Sequence, residues 1–171
     1  PAYDEAVKLD PEGAGSTHAD IVPGEPVEVA AGVVRLTAPN PGMMTGPGTN
    51  TYVLGHKRFT VLDPGPDDAT HIERILELTG GAIDQVVVTH THQDHSPATV
   101  ALKARTGCRV YGQPAPEGPA QDHTFSPDVE PVNGDLIVTE AGTLKALYTP
   151  GHASNHLCYL LLEQELLFSG D

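Results

Sequence analysis

A chain of 171 residues suits one domain with a sizeable core, and 18 glycines and 16 prolines in a chain that is 39% hydrophobic argue for short strands and loops over a helical bundle. Nine Lys and Arg against 23 Asp and Glu leave a formal net charge of -14, which repels a phosphate backbone at long range and disfavours nucleic acid as a partner. The two cysteines, Cys108 and Cys158, form no CxxC, so neither a disulfide framework nor a cysteine zinc site is expected, and a reducing, cytoplasmic setting fits.

The N-terminal stretch PAYDEAVKLDPEGAG lacks a basic region followed by an apolar run, and no apolar run reaches the roughly 18 residues of a membrane span. Residues 1–26 are polar, interrupted by Pro11, Pro23 and Pro26, and are expected to wrap the surface ahead of a domain over 27–171. Val27 to Ala38 (VEVAAGVVRLTA) reads as a strand, broken or bulged near Gly32. Pro39 to Thr49 (PNPGMMTGPGT) is a Gly/Pro loop of the kind that walls a pocket, with Thr49, Asn50 and Tyr52 as candidate lining. Asn50 to Leu54 and Arg58 to Leu62 make a hairpin around Gly55-His56-Lys57, and the second strand ends in Asp63-Pro64-Gly65. Asp67 or Asp68 starts a helix with acidic residues in its first turn, Ile72, Ile75, Leu76 and Leu78 near one face, and Gly80-Gly81 as its stop.

Ile83 to Thr89 is an apolar strand. Ser96 as N-cap with Pro97 at the first helical position opens a helix to about Arg105. Arg109 to Gly112 is a short strand, Gln113 to Asp128 a Pro-rich excursion, and Asp135 to Thr149, Leu157 to Glu163 and Leu166 to Ser169 read as strands. The order is α/β, with mostly antiparallel hairpins and outer helices.

Between strand and helix lies VVVTHTHQDHSPATV, Val86 to Val100, where an apolar strand runs into clustered imidazoles and a carboxylate. Extended geometry would aim His90 and His92 to one face, and the following turn would bring Asp94 and His95 toward a neighbouring point. Zinc accepts this mixed nitrogen and oxygen set, whereas calcium or magnesium would want mostly oxygen.

These residues resemble the metallo-beta-lactamase superfamily, whose mark is HxHxDH after a strand, here His90-Thr91-His92-Gln93-Asp94-His95. TPGHASNH puts His152 in the place of the next metal histidine, LLFSGD puts Asp171 in that of a bridging carboxylate, and LDPG puts Asp63 in that of a structural aspartate beneath the metal loop. A finer resemblance, through PNPGMMTGPGTNTYVLG, VLDPGP and TPGHASNH, is to the beta-lactamase-like protein 2 branch and its bacterial glyoxalase-II-like relatives. The resemblance spans about Val27 to Asp171. It implies an αββα sandwich of which this chain covers mainly the N-terminal half, since the family pattern continues past this aspartate to a later histidine. It further implies one metal at His90, His92 and His152 and a second at Asp94, His95 and Asp171, with two zinc ions per chain, or iron or manganese in their place.

Two such cations would lower the pKa of a bridging water and polarise the bond under attack, with Asp94 both ligand and proton-steering catalytic group. The leading expectation is a dinuclear zinc hydrolase acting on an ester, thioester, lactone or amide of a small molecule. Its rivals are a single-stranded endoribonuclease, a mononuclear iron sulfur dioxygenase and a non-catalytic metal-binding domain. His156 is expected to brace the site by hydrogen bonding, and Ser96 to cap a helix and not to act as a nucleophile. His18, His56, His71 and His123 read as surface residues, and both cysteines as small core residues.

Overall fold

The computed structural model describes residues 21–171. Most of the segment over 1–26 and its expected wrapping of the surface lie outside those residues, as does His18.

Strands β1 (Pro26–Ala30), β2 (Val33–Thr37), β3 (Asn50–Leu54), β4 (Phe59–Leu62), β5 (Ile83–Val87) and β6 (Arg109–Tyr111) form a six-stranded sheet in chain order. Two short turns and the longer loop over 38–49 make its first half antiparallel, whereas β4, β5 and β6 run parallel because a helix links each to the next. Those helices, α1 (Ala69–Thr79) and α2 (Ala98–Thr106), cover one face, where Ile72, Ile75 and Leu102 pack on Val53, Val61, Val86 and Val110. Strand alternation sends Val33, Leu54, Leu62 and Val87 to the opposite face.

There they meet an antiparallel sheet of β7 (Leu136–Thr139), β8 (Gly142–Tyr148), β9 (Leu157–Leu161) and β10 (Leu166–Phe168). Its inward side chains Ile137, Leu144, Leu157, Tyr159, Leu161 and Phe168 fill the space between the sheets. The Tyr159 hydroxyl donates to the Val88 carbonyl (3.2 Å) and the Leu157 N–H to the Thr89 carbonyl (2.8 Å), tying the second sheet to the first where the histidines begin. The layers run α, β, β, as expected of the first half of an αββα sandwich, and the outer face of the second sheet exposes Leu136, Val138 and Leu167. Among the described residues no helix is long and apolar enough to cross a membrane.

Several local expectations are corrected. VEVAAGVVRLTA breaks near Gly32 as expected, but the break is the reversal of a hairpin, β1–β2, with Gly32 at φ +67°, and the irregularity in pairing lies between Glu28 and Ala30. Asp135 to Thr149 is likewise a hairpin, β7–β8, because the chain turns at Glu140 and Ala141 ahead of Gly142 at φ +136°. The first turn of α1 holds no acidic residue, since Asp68 is itself the N-cap and accepts from the His71 N–H (2.8 Å). Ser96 caps nothing: Pro97 is the N-cap of α2, and the Ser96 hydroxyl donates instead to Asp122 Oδ2 (2.7 Å). His71 is also no surface residue; it is 1% exposed, bonded to Thr51 (2.9 Å), and burial pushes its pKa down to about 4.

One exposed carboxylate ties the two sheets together at the ends of their strands. Glu140 Oε2, in the β7–β8 turn, accepts the N–H groups of His56 (2.6 Å), Lys57 (2.7 Å) and Arg58 (3.0 Å) in the β3–β4 turn. Those amides, Lys57 first, hold its pKa down from 4.5 to about 2. A lowered folded-state pKa contributes stability that is complete above 4.5 and lost as pH falls through about 2. Thermal unfolding of Glu140→Gln is therefore expected at a lower temperature than wild type at neutral pH, with the gap closing as pH falls toward 2. A gap that stays constant with pH would assign the effect to packing.

Candidate metal centre

The parallel pairing of β4 with β5 places the ends of both strands side by side, and Asp63 follows the first as the histidine loop follows the second. Asp63 takes a left-handed conformation (φ +49°), donates its N–H to the Val87 carbonyl (2.9 Å) and turns its buried carboxylate beneath the loop. There it accepts the Thr89 N–H (2.7 Å), the Thr89 hydroxyl (2.7 Å) and His95 Nδ1 (2.9 Å). Farther along, the fully buried Thr91 hydroxyl donates to Gln121 Oε1 (2.6 Å) and accepts from Asn155 (2.8 Å), and the Asp122 N–H reaches the Thr91 carbonyl (2.6 Å). The Pro-rich excursion thus clamps the loop from the side opposite Asp63.

His90, His92 and His152 each bring one ring nitrogen to a common point, all within 4.8 Å of one another. His92 Nδ1 lies 3.0 Å from His90 Nε2 and 2.9 Å from His152 Nε2. Two nitrogens bound at about 2.0–2.1 Å to a tetrahedral zinc stand about 3.3 Å apart, so this set fits that ion with small adjustment. Both residues lie just past β5, His90 in irregular backbone and His92 at an isolated bridge to Gln121, and His92 presents Nδ1 where His90 presents Nε2.

The tautomer of His90 follows from its partners. The single Thr89 hydroxyl proton goes to Asp63, so Thr89 Oγ1 must accept from His90 Nδ1 at 3.0 Å. Burial, then the neighbouring His95, pushes the His90 pKa down to about 3, so the ring is neutral and its Nε2 lone pair faces the centre.

A second group joins His90 with His95 and Asp171. His95 gives its Nδ1 proton to Asp63, and its Nε2, buried and without a hydrogen bond, lies 3.5 Å from Asp94 Oδ2 and 3.3 Å from Asp171 Oδ1. Burial alone would lower the His95 pKa, but Asp63, Asp171 and Asp94 outweigh it and raise it to about 10. Contact with His95 in turn holds Asp171 down to about 2. An orphaned nitrogen among carboxylates calls for positive charge at that point, and the donor set fits a second divalent cation. The other Asp171 oxygen lies 3.5 Å from His152 Nε2, so this carboxylate spans the two groups.

Thr49, Asn50 and Tyr52 all line a cavity of about 690 Å³ that opens beside Asp94, His95 and Asp171. Met44 joins them on its wall, while Met43 is fully exposed. His156 is 2% exposed, bonds Thr149 through Nδ1 (3.0 Å) and lies with its ring 4.9 Å from that of His90, outside both ligand groups. His56 and His123 are exposed and Cys108 and Cys158 buried, as read from their contexts. Thr89, Thr91, Gln121 and Asp122 went unnoticed in the sequence. Only the position of Thr89 before HxH hinted at a role; the clamp residues carry no local signal.

The pattern of the metallo-beta-lactamase superfamily matches residues 44–171. Thioesterase pkgB of Emericella nidulans is 38% identical over 81% of this chain and 40% of its own length. Atrochrysone carboxyl ACP thioesterase of Aspergillus fumigatus is 34% identical over 81% of this chain and 44% of its own. The chain therefore spans less than half the length of either relative. The crystal structure of the metallo-beta-lactamase family protein TTHA1429 from Thermus thermophilus superposes with a TM-score of 0.68 at 19% identity, covering 83% of this chain and 60% of that one. With the family pattern running through most of its length and the same fold in a solved member, the chain belongs to the metallo-beta-lactamase superfamily.

Proposed function

We propose that residues 27–171 carry the metal-binding part of a dinuclear zinc hydrolase that cleaves an acyl bond in a small molecule, with a thioester foremost among ester, thioester, lactone and amide. The observation that carries this reading is the pair of ligand groups that meet at His90 and are spanned by Asp171. The thioester comes from two relatives that bear that activity in their names. Zinc ions held there would acidify a water between them and polarise the acyl carbonyl.

The chain's own residues supply the rest. His90, His92 and His152 hold one ion, and Asp94, His95 and Asp171 the other. Asp63, through Thr89 and directly, keeps the lone pairs of His90 and His95 aimed inward. Asp94 lines the cavity, where its carboxylate can take the proton released as water attacks. The cavity lining combines Met44, Tyr52, Leu62 and Phe168 with the carboxylates of Asp94 and Asp171, which suits an uncharged acyl group brought against the candidate metal positions. The charge of -14 favours such a substrate over RNA.

Elemental analysis of the purified protein should find about two zinc ions per chain, and Asp94→Ala should slow hydrolysis of acyl thioesters by on the order of 10²–10⁴-fold. A single bound iron would move the reading to a mononuclear sulfur dioxygenase. RNA cleavage that falls steeply with salt, without thioester hydrolysis, would move it to an endoribonuclease. No bound transition metal in the folded protein would sink it. Asp63→Asn should weaken zinc binding by about 10–100-fold, measured by competition with a chromogenic chelator; unchanged affinity would show that the tautomers are set without Asp63.

A further inference from the structure

The loop between β2 and β3 ends in a chain of hydrogen bonds that reaches the centre. Thr49 is 6% exposed, and its hydroxyl lies 2.9 Å from Asp94 Oδ2. Across the loop, Asn40 grips Thr49 twice: its Oδ1 accepts the Thr49 N–H (2.9 Å), and its Nδ2 donates to Thr49 Oγ1 (3.1 Å). The orientation of the Asn40 amide is not arbitrary, because a flipped amide would set its NH₂ against the Thr49 N–H.

That grip decides where the Thr49 proton goes. A threonine hydroxyl has one proton, and with Asn40 Nδ2 donating into the oxygen, the proton must point to Asp94 Oδ2. Thr49 is held on its other side too, since its carbonyl accepts the Ala38 N–H (2.9 Å). Gly48 before it stands at φ +145° with its Cα so close to the Ala38 carbonyl that a Cβ would come within 1.9 Å, so the stem admits no side chain there. Thr45 closes the loop by donating to the Asn40 carbonyl (2.6 Å). The stem is thus rigid at the residue that meets Asp94.

The oxygen that Thr49 engages is also the one that lies 3.5 Å from His95 Nε2. A carboxylate oxygen has two lone-pair sites; Thr49 takes one and leaves the other turned toward His95. Without this bond the partly exposed Asp94 side chain would be free to rotate about its own torsions.

We propose that Thr49, gripped by Asn40, is a positioning residue that orients Asp94 for the second metal position. The proposal rests on the reading of Asp94 as a ligand of a second ion. The same stem carries Met44 onto the cavity wall, so the loop that meets substrate is also the loop that aims the carboxylate.

The test compares wild type with Thr49→Val, which keeps the shape and removes the hydroxyl, Thr49→Ser, which keeps the hydroxyl, and Asn40→Ala, which frees it. Zinc titration against a chromogenic chelator reads both sites separately, and thioester hydrolysis gives kcat and KM. Thr49→Val should bind the first ion as wild type does but lose about 10–100-fold in affinity for the second, with kcat falling and KM held. Thr49→Ser should recover wild-type binding, and Asn40→Ala should fall between. Thr49→Val binding both ions as wild type does would overturn the proposal, as would Thr49→Ser losing as much as Thr49→Val. Wild type binding only one ion would instead overturn the dinuclear reading, and this proposal with it. Should Thr49→Val fail to fold, the Thr49→Ser and Asn40→Ala pair decides: equal second-site affinity in both overturns the proposal.

Discussion

The centre depends on one buried carboxylate. Asp63 is 2% exposed, and burying a charge is costly unless its lone pairs are used. Here two oxygens take a backbone amide, a hydroxyl and an imidazole. Each of these bonds also acts on the candidate centre: the amide anchors the start of the loop, the hydroxyl forces His90 to turn Nε2 inward, and the imidazole is His95 itself. Two histidines only five residues apart thereby acquire opposite pKa shifts, His90 lowered by burial and His95 raised by the carboxylates around it. The left-handed backbone at Asp63, uncommon outside glycine, turns the side chain back under the loop.

The ligands are drawn from both sheets. His90, His92, Asp94 and His95 follow a strand of the first, whereas His152 precedes β9 and Asp171 follows β10 of the second. Their relative placement is only as good as the packing between the sheets, and the bonds from Tyr159 to Val88 and from Leu157 to Thr89 fall at the point where the two sets meet. The aligned apolar layer of Leu54, Leu62, Val87, Leu144, Leu157 and Leu161 makes that interface stiff.

Much of this was legible along the chain. The helix stop at Gly80, the strand Asn50–Leu54 and the boundaries of β5, β6 and β10 to within two residues follow from apolar runs bounded by glycine, proline or a change of period. The break near Gly32 was legible though not the reversal there, and the hairpin within Asp135 to Thr149 went unseen because its turn, Glu140-Ala141, sits in a run whose alternation barely falters. Ser96 misled for a related reason: Ser-Pro is a sound capping pair, but Asp122 offers the hydroxyl a better partner from a segment distant in sequence. The branch resemblance rests on loop residues, and a fold shared across many chemistries does not choose among branches.

By itself the sequence determined the family, the α/β order and the set of groups able to bind a cation, because HxHxDH, TPGH and the terminal SGD place those residue types at chain positions where strands end. Only the tertiary structure decided which nitrogen each histidine offers and how Asn40, Thr49 and Asp94 come into line. Those outcomes depend on where single protons go, and a proton's partner is chosen by contacts between residues as distant as Asp63 and His95 or Thr49 and Asp94, which no local pattern records.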